Sequence, residues 1–290
     1  MANALALCAA LLFALAATLQ QKGALGMGES LRSPASFVRL ARQTWWLLGS
    51  LALLGGYVCQ AVALDHGKLA VIQPLLVTTI VFALPLGYLL TGQVVNRPEI
   101  VAAVFVVIGL AVFAVVGDAA AGSDTAPGWE WAITIALLSA VAGALLFVGG
   151  RGPLAQKAGA YGACAGVLYG LSASLWKPSG SLLEADGLGG MLSSWEFWVF
   201  AAAGILAFLV QQVSLATGQL APSVAMTSVV NPLVCILVGT VVLEERLAPP
   251  TWHRALAYAG LALALVAAMA ITRATEGAKE PQEAQLAPAG

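Results

Sequence analysis

Long uninterrupted apolar runs dominate the chain, and short polar or glycine-rich breaks separate them. A helix needs roughly 20 apolar residues to cross the hydrocarbon core of a bilayer. Runs of that length predict nine helices, at about 3–19, 45–64, 69–90, 99–117, 129–149, 158–176, 196–216, 220–243 and 253–272. The apolar positions are continuous rather than alternating, which predicts spanning helices and not a barrel. Between Glu196 and Glu244 no charge occurs, too long a stretch for one crossing. Thr217-Gly218-Gln219, with Pro222 just behind, predicts a tight turn between two helices there. His66-Gly67-Lys68 predicts the same between the second and third spans. No Lys or Arg precedes the first run, so it reads as a membrane helix and not a secretory signal peptide.

Composition agrees with this pattern. Of 290 residues, 60% are hydrophobic and 9% charged, against about 25% charged in a soluble domain. A water-soluble fold could not hide so much apolar surface, whereas a bilayer solvates it. The net charge of −1 offers no field for nucleic acid. Cys8, Cys59, Cys164 and Cys235 each sit alone in an apolar stretch, which predicts buried thiols rather than a disulfide framework or metal cluster. The two histidines, His66 and His253, lie near span ends and no carboxylate lies deep in a span. An intramembrane protease would need a paired aspartate, a Ser/His or an H-E-x-x-H arrangement, and an ATP-driven machine a phosphate loop. The sequence contains neither, so the expectation is no enzyme, no cofactor and no metal centre.

Charge sets the expected orientation. Ends and loops after odd-numbered spans hold nine basic residues: Lys22, Arg32, Arg39, Arg42, Arg97, Arg151, Lys157, Arg273 and Lys279. The other side holds four: Lys68, Lys177, Arg246 and Arg254. By the positive-inside rule the amino terminus lies outside and the carboxyl terminus in the cytoplasm, across the plasma membrane. Residues 275–290 read as a disordered cytoplasmic tail.

Two segments match without gaps at a shift of 151 positions, Gln60 to Ala70 and Gln211 to Ala221, both reading Q-x-V-x-L-x-x-G-x-L-A. The same shift pairs Pro98 with Pro249, and Gly109-Leu110-Ala111 with Gly260-Leu261-Ala262. A weaker match aligns Leu12–Leu19 with Leu168–Leu175. Spans 1–4 (residues 1–128) therefore repeat as spans 6–9 (residues 151–274), joined by a connecting helix at 129–150. Corresponding helices are five crossings apart, an odd number, so the second copy is inverted. The expected fold is all-α and polytopic, with about nine transmembrane helices in two inverted repeats, 4 + 1 + 4. Inverted repeats suit alternating access around a site near the bilayer midplane.

Several short motifs, in order along the chain, carry a family resemblance. They are Gln20-Gln21-Lys22-Gly23-Ala24-Leu25 at the end of the first span and Trp45-Trp46-Leu47-Leu48-Gly49 at the start of the second. Gly170 to Lys177 in the sixth and Glu244-Glu245-Arg246-Leu247 after the eighth complete the set. Taken together, over nearly the whole chain, they resemble the drug/metabolite transporter superfamily. Within it the pattern is similar to the NIPA-type branch of proposed magnesium transporters and to the EamA transporters. The resemblance implies a secondary transporter of a small solute. Where the NIPA pattern has G-E-x-x-N, this chain reads Gly56-Tyr57-Val58-Cys59-Gln60, a tyrosine in place of the intramembrane glutamate. Magnesium prefers carboxylate oxygens, so the fold and the transporter class carry over and a divalent cation such as magnesium stays as the alternative cargo. An alternative of another class is a non-transporting membrane partner subunit.

Polar side chains in lipid are costly and face the protein interior. Tyr57 and Gln60 are three apart on one helical face, and Gln211 and Ser214 hold the related positions of the second copy, with Gln212 beside them. Gln73, and the stripe Thr227, Ser228 and Asn231, complete the candidate substrate-binding set. Interhelical hydrogen bonding alone would also account for them, at about 0.6–2 kcal/mol per bond. Pro74, Pro222 and Pro232 are candidate helix breaks or hinges, since a proline frees a backbone carbonyl. Asp65, His66 and Lys68 read as a solvated turn, Glu244, Glu245 and Arg246 as a helix end at the interface, and Lys177 as a snorkelling cation just past the sixth span. The partners implied are the lipid bilayer, a small-molecule or ion substrate and, as an option, a second copy in a homodimer.

Overall fold

The computed structural model describes residues 2–25, 34–66, 75–76, 78–116, 119–120, 123, 125–244, 246–247 and 251–277. The helices are α1 (Ala2–Ala24), α2 (Pro34–Leu40), α3 (Thr44–His66), α4 (Thr79–Thr91) and α5 (Arg97–Val116), then α6 (Gly128–Gly149), α7 (Leu154–Ser193), α8 (Trp195–Leu215), α9 (Leu220–Val241) and α10 (Thr251–Gly277). A two-residue strand β1 (Ala119–Ala120) pairs antiparallel with β2 (Arg246–Leu247). Among the described residues, six helices, α1, α5, α6, α8, α9 and α10, are both long and apolar enough to cross a membrane. α3 has 23 residues and α7 has 40, both long enough to span, while α4 has 13. The chain is a multi-pass α-helical membrane protein. Each spanning helix satisfies its backbone internally, the condition lipid imposes. Outer faces are apolar: Leu51, Leu54 and Val58 of α3 are 64%, 61% and 64% exposed, a surface that lipid covers.

Small residues set how closely the helices pack. Gly162, Gly166 and Gly170 form a stripe on α7 against α9. A methyl group on Gly162 would lie 2.5 Å from the Ser223 carbonyl, and one on Gly170 2.6 Å from Val234 Cβ. α5 meets α10 backbone to backbone. A methyl on Gly260 would sit 2.6 Å from the Gly109 carbonyl, and one on Gly109 would strike the Gly260 carbonyl in return. Around this contact, Val106, Leu110, Leu261, Ala264 and Ala268 join Ile80 and Val229 in one buried cluster. A second cluster unites α6, α7, α8 and α9 through Trp131, Leu138, Val167, Leu175, Ala203 and Val238. α3 and α8 begin 151 positions apart, at Thr44 and Trp195.

Turns follow local chemistry. α8 and α9 are joined at Ala216–Gln219 with Gly218 at φ 77°, a left-handed conformation that glycine adopts without strain. The turn expected at Thr217-Gly218-Gln219 is therefore present, and Pro222 sits in the first turn of α9, where a missing N–H costs little. Asn96 and Glu99 cap α5 reciprocally: Glu99 N donates to Asn96 Oδ1 at 2.9 Å and Asn96 N to Glu99 Oε2 at 3.3 Å.

Several boundaries differ from the sequence reading, and α1 runs on to Ala24, past the end expected near residue 19. α7 continues past Lys177 to Ser193, with Pro178 inside it and a kink at Gly187 (φ 68°). Hydropathy falls at Lys177-Pro178, but Ser179 and Ser181 bond back to the Leu175 and Lys177 carbonyls and the helix persists. The first loop contains α2, whose Phe37 and Leu40 pack with Ala24, Trp46 and Val213. Glu244 does not end a helix. α9 stops at Val241, Glu244 stands at φ 52°, and Arg246 enters the strand pair. α10 runs to Gly277, because Thr275 is buried and bonds to the Ile271 carbonyl, so the expected tail starts later than 275. In the third span only 75–76 and 78–91 are described. The expected turn at Gly67-Lys68 and the candidates Gln73 and Pro74 lie outside the described residues.

Candidate functional site

The polar side chains of α8 and α9 condense into one network. Gln211 Nε2 donates to Ser223 Oγ at 3.0 Å, and Ser223 and Ser214 hydroxyls lie 2.7 Å apart. Ser214 donates onward to the Ala158 carbonyl of α7 at 2.7 Å. The Thr227 hydroxyl is 2.6 Å from Gln211 Oε1 and 2.9 Å from the Gly162 carbonyl. Three expected residues, Gln211, Ser214 and Thr227, are thus brought together. Ser223 completes the set: Ser223, Thr227 and Asn231 recur every four residues and face the glycine stripe of α7. Asn231 accepts from the Cys235 thiol at 3.5 Å. Ser228 and Pro232 are half-buried beside this stripe. Pro232 lies inside α9, where it leaves the Ser228 carbonyl without its helical donor.

Gln212 points elsewhere, across to α1 and α3. It is fully buried, accepts from Trp46 Nε1 at 2.8 Å and donates to Gln20 Oε1 at 3.1 Å. Gln20 Nε2 is buried and has no hydrogen-bond partner among the described residues. Trp46 also meets the Phe208 ring edge-on, with centroids 6.1 Å apart. A step further, Gln21 and Gln93 hold the α8–α9 turn. Gln93 Nε2 donates to the Gly218 carbonyl at 2.7 Å, and its Oε1 accepts from Leu220 N at 3.3 Å. The Gln21 amide oxygen, turned toward these donors, accepts from Leu220 N at 3.0 Å and Gln219 N at 3.3 Å. Side-chain amides thereby satisfy N–H groups that the start of a helix leaves open. This clasp of α1, α3 and α4 on α8 and α9 closes one end of the bundle. Beneath it lies a cavity of about 250 Å³, lined by Gln93, Gln219, Thr275 and the buried carboxyl of Glu99 among others.

Tyr57 and Gln60 occupy the same side of α3 as Trp46. Trp46, Ser50, Leu53, Tyr57 and Gln60 are spaced 4, 3, 4 and 3 apart, one helical stripe. At Trp46 the stripe touches α8. At Tyr57, about 16 Å along the axis, the side chain is 55% exposed, stacked edge-on against Phe13 at 5.2 Å. Gln60 is half-buried. The stripe therefore runs along the seam between α3 and α8, from the Trp46 contact to an exposed tyrosine. The seam offers amide, hydroxyl and aromatic groups, suited to a small hydrogen-bonding solute. On the far side of α3, Cys59 lies near Cys8 of α1, so these two thiols, solitary in sequence, are neighbours in space.

Sequence reasoning missed Gln20, Gln21, Trp46, Gln93 and Ser223. Gln20, Gln21 and Trp46 sat in motifs read for resemblance only, although an amide in an apolar run is itself a signal. Gln93 lies in a short loop, where a glutamine carries no such signal.

No family model matches the chain, and no solved structure matches it. An uncharacterized protein of Corynebacterium glutamicum is similar, 29% identical over 244 residues, 84% of each chain.

Proposed function

We propose that the chain is a secondary transporter of a small solute, working by alternating access of two inverted four-helix repeats joined by α6. In this reading it crosses the plasma membrane nine times, in the manner of the drug/metabolite transporter superfamily. One observation carries the reading. Gly109 and Gly260, paired by the 151-residue repeat, meet each other reciprocally, each carbonyl against the other's Cα. Equivalent residues in mutual contact are the signature of a two-fold axis. An axis between α5 and α10, lying in the membrane plane, is what an inverted repeat requires. The matching starts of α3 and α8 support the same register.

The clasp end carries Lys22, Arg42, Arg97 and Arg273 on the helix ends gathered there, and Arg151 and Lys157 on the turn into α7. That asymmetry supports a cytoplasmic clasp with the amino terminus outside. The test is flux. Purified protein in liposomes, offered a panel of neutral and singly charged solutes and magnesium under imposed gradients, is expected to move at least one class saturably. Binding of solutes without flux of any would replace this reading with that of a non-transporting partner subunit.

A further inference from the structure

The clasp end is shut by contacts between the halves, and the aromatic one has a counterpart in sequence. Trp46 of α3 meets Phe208 of α8. The 151-residue register sends Trp46 to Phe197 and Phe208 to Tyr57. Applying the repeat to the contact therefore returns a second aromatic pair, Phe197 with Tyr57. The helices hold this register, since α3 and α8 start at equivalent positions.

Phe197 and Tyr57 are apart in this structure. The Tyr57 ring rests on Phe13, and the Phe197 ring meets Trp198 at 5.4 Å and Phe200 at 6.1 Å. Tyr57 nevertheless lies on the Trp46 stripe and so faces the second half, which leaves an aromatic ring 55% exposed on the seam. Two inverted halves that exchange conformations must exchange their contacts as well. Closing the end away from the clasp would then bring Phe197 of α8 onto Tyr57 of α3 as Trp46 leaves Phe208.

We propose that Tyr57 and Phe197 form a second gate at the end away from the clasp, opposed to the Trp46–Phe208 gate. Tyr57 lies 11 residues from Trp46, and Phe197 lies 11 from Phe208, so the two gates are about 16 Å apart along the helices. Gln60 and Gln211 then hold equivalent positions, each one turn from a gate aromatic, Tyr57 or Phe208. This inference rests on the transporter reading for its purpose and on the repeat for its residues.

The test uses full-length protein with its four cysteines replaced by alanine, carrying Tyr57→Cys with Phe197→Cys, Trp46→Cys with Phe208→Cys, or all four, in liposomes. A short thiol-reactive bridge is added, and bridged peptides are identified by mass spectrometry. Each pair is expected to bridge alone. In the four-cysteine protein the two bridges are expected to exclude each other, a complete loss of one wherever the other has formed. Both bridges in one molecule would overturn the proposal. So would a Tyr57–Phe197 pair that never bridges, while spin labels at the two positions report one long distance. Solute flux is measured on the same preparations. Mutually exclusive bridges without flux would remove the transporter reading and keep the two-gate device. Flux without exclusive bridges would do the reverse.

Discussion

The buried amides are where single residues matter most. Gln212 links Trp46 to Gln20, and removing it orphans a half-buried indole N–H and a buried amide oxygen. An unsatisfied buried polar group costs about 1–3 kcal/mol, and interhelical bonds in membranes are worth about 0.6–2 kcal/mol. Gln212→Ala is therefore expected to lower stability by about 2 kcal/mol, read as an earlier loss of the monodisperse peak when the detergent-solubilised protein is heated. Gln60 is half-buried on the same stripe of α3, beyond Tyr57. Gln60→Ala is expected to change stability by less than about 0.5 kcal/mol while reducing flux of the transported solute. Equal thermal loss in both variants would mean that Gln60 is structural too. Gly218 makes a separate case. With φ at 77° and Leu25 close by, a side chain there is strained, and Gly218→Ala is expected to cost about 1–2 kcal/mol by the same measurement.

Elements were legible in sequence wherever hydropathy alone decides them. α6, α8 and α9 fall within two residues of their expected ends, because a continuous apolar run bounded by polar residues has few other solutions in lipid. Elements that hydropathy does not control were not legible. The polar stretch of α7 beyond Pro178 stays helical although hydropathy falls there, and Leu40 of α2 is fully buried against Ala24 and Trp46. The candidate site divides along the same line. Gln211, Ser214 and Thr227 could be paired from their spacing on two adjoining helices. The Gln20–Gln212 bond joins residues 192 apart and follows from the packing of α1 on α8. Helix contacts give their own test. A methyl group on Gly260 meets backbone, not a yielding side chain. Gly260→Ala is thus expected to destabilise by about 1–3 kcal/mol. Gly143 on α6 has open space around its Cβ position, so Gly143→Ala is expected to be neutral or to stabilise by up to about 1 kcal/mol through helix propensity. If the two variants melt alike, the α5–α10 contact does not set the packing.

At the scale of the whole molecule, shape and charge asymmetry must agree. The clasp gathers the ends of α1, α4, α8 and α10 with the starts of α3, α5 and α9, while the β1–β2 pair marks the opposite end. In the proposed inverted repeat these two ends are equivalent in fold, so fold alone does not distinguish the cytoplasm from the outside. Only the uneven placement of Lys and Arg breaks the equivalence. Orientation can therefore be altered without altering the fold, and it is tested by access rather than by structure. In the cysteine-free protein, a membrane-impermeant maleimide applied to intact cells is expected to label Glu244→Cys, beyond α9 at the end away from the clasp. It is expected to leave Arg42→Cys, at the start of α3, unlabelled until the cells are opened. The reverse pattern would invert the orientation and make the clasp an outer gate. Labelling of both from outside would mean that the chain inserts both ways round, and that its charge bias is too weak to choose. Moving basic residues from the Lys22–Arg42 loop to the Lys177–Glu196 side is expected to drive the protein toward that mixed state, because the first loop carries four of the nine basic residues on the expected cytoplasmic side.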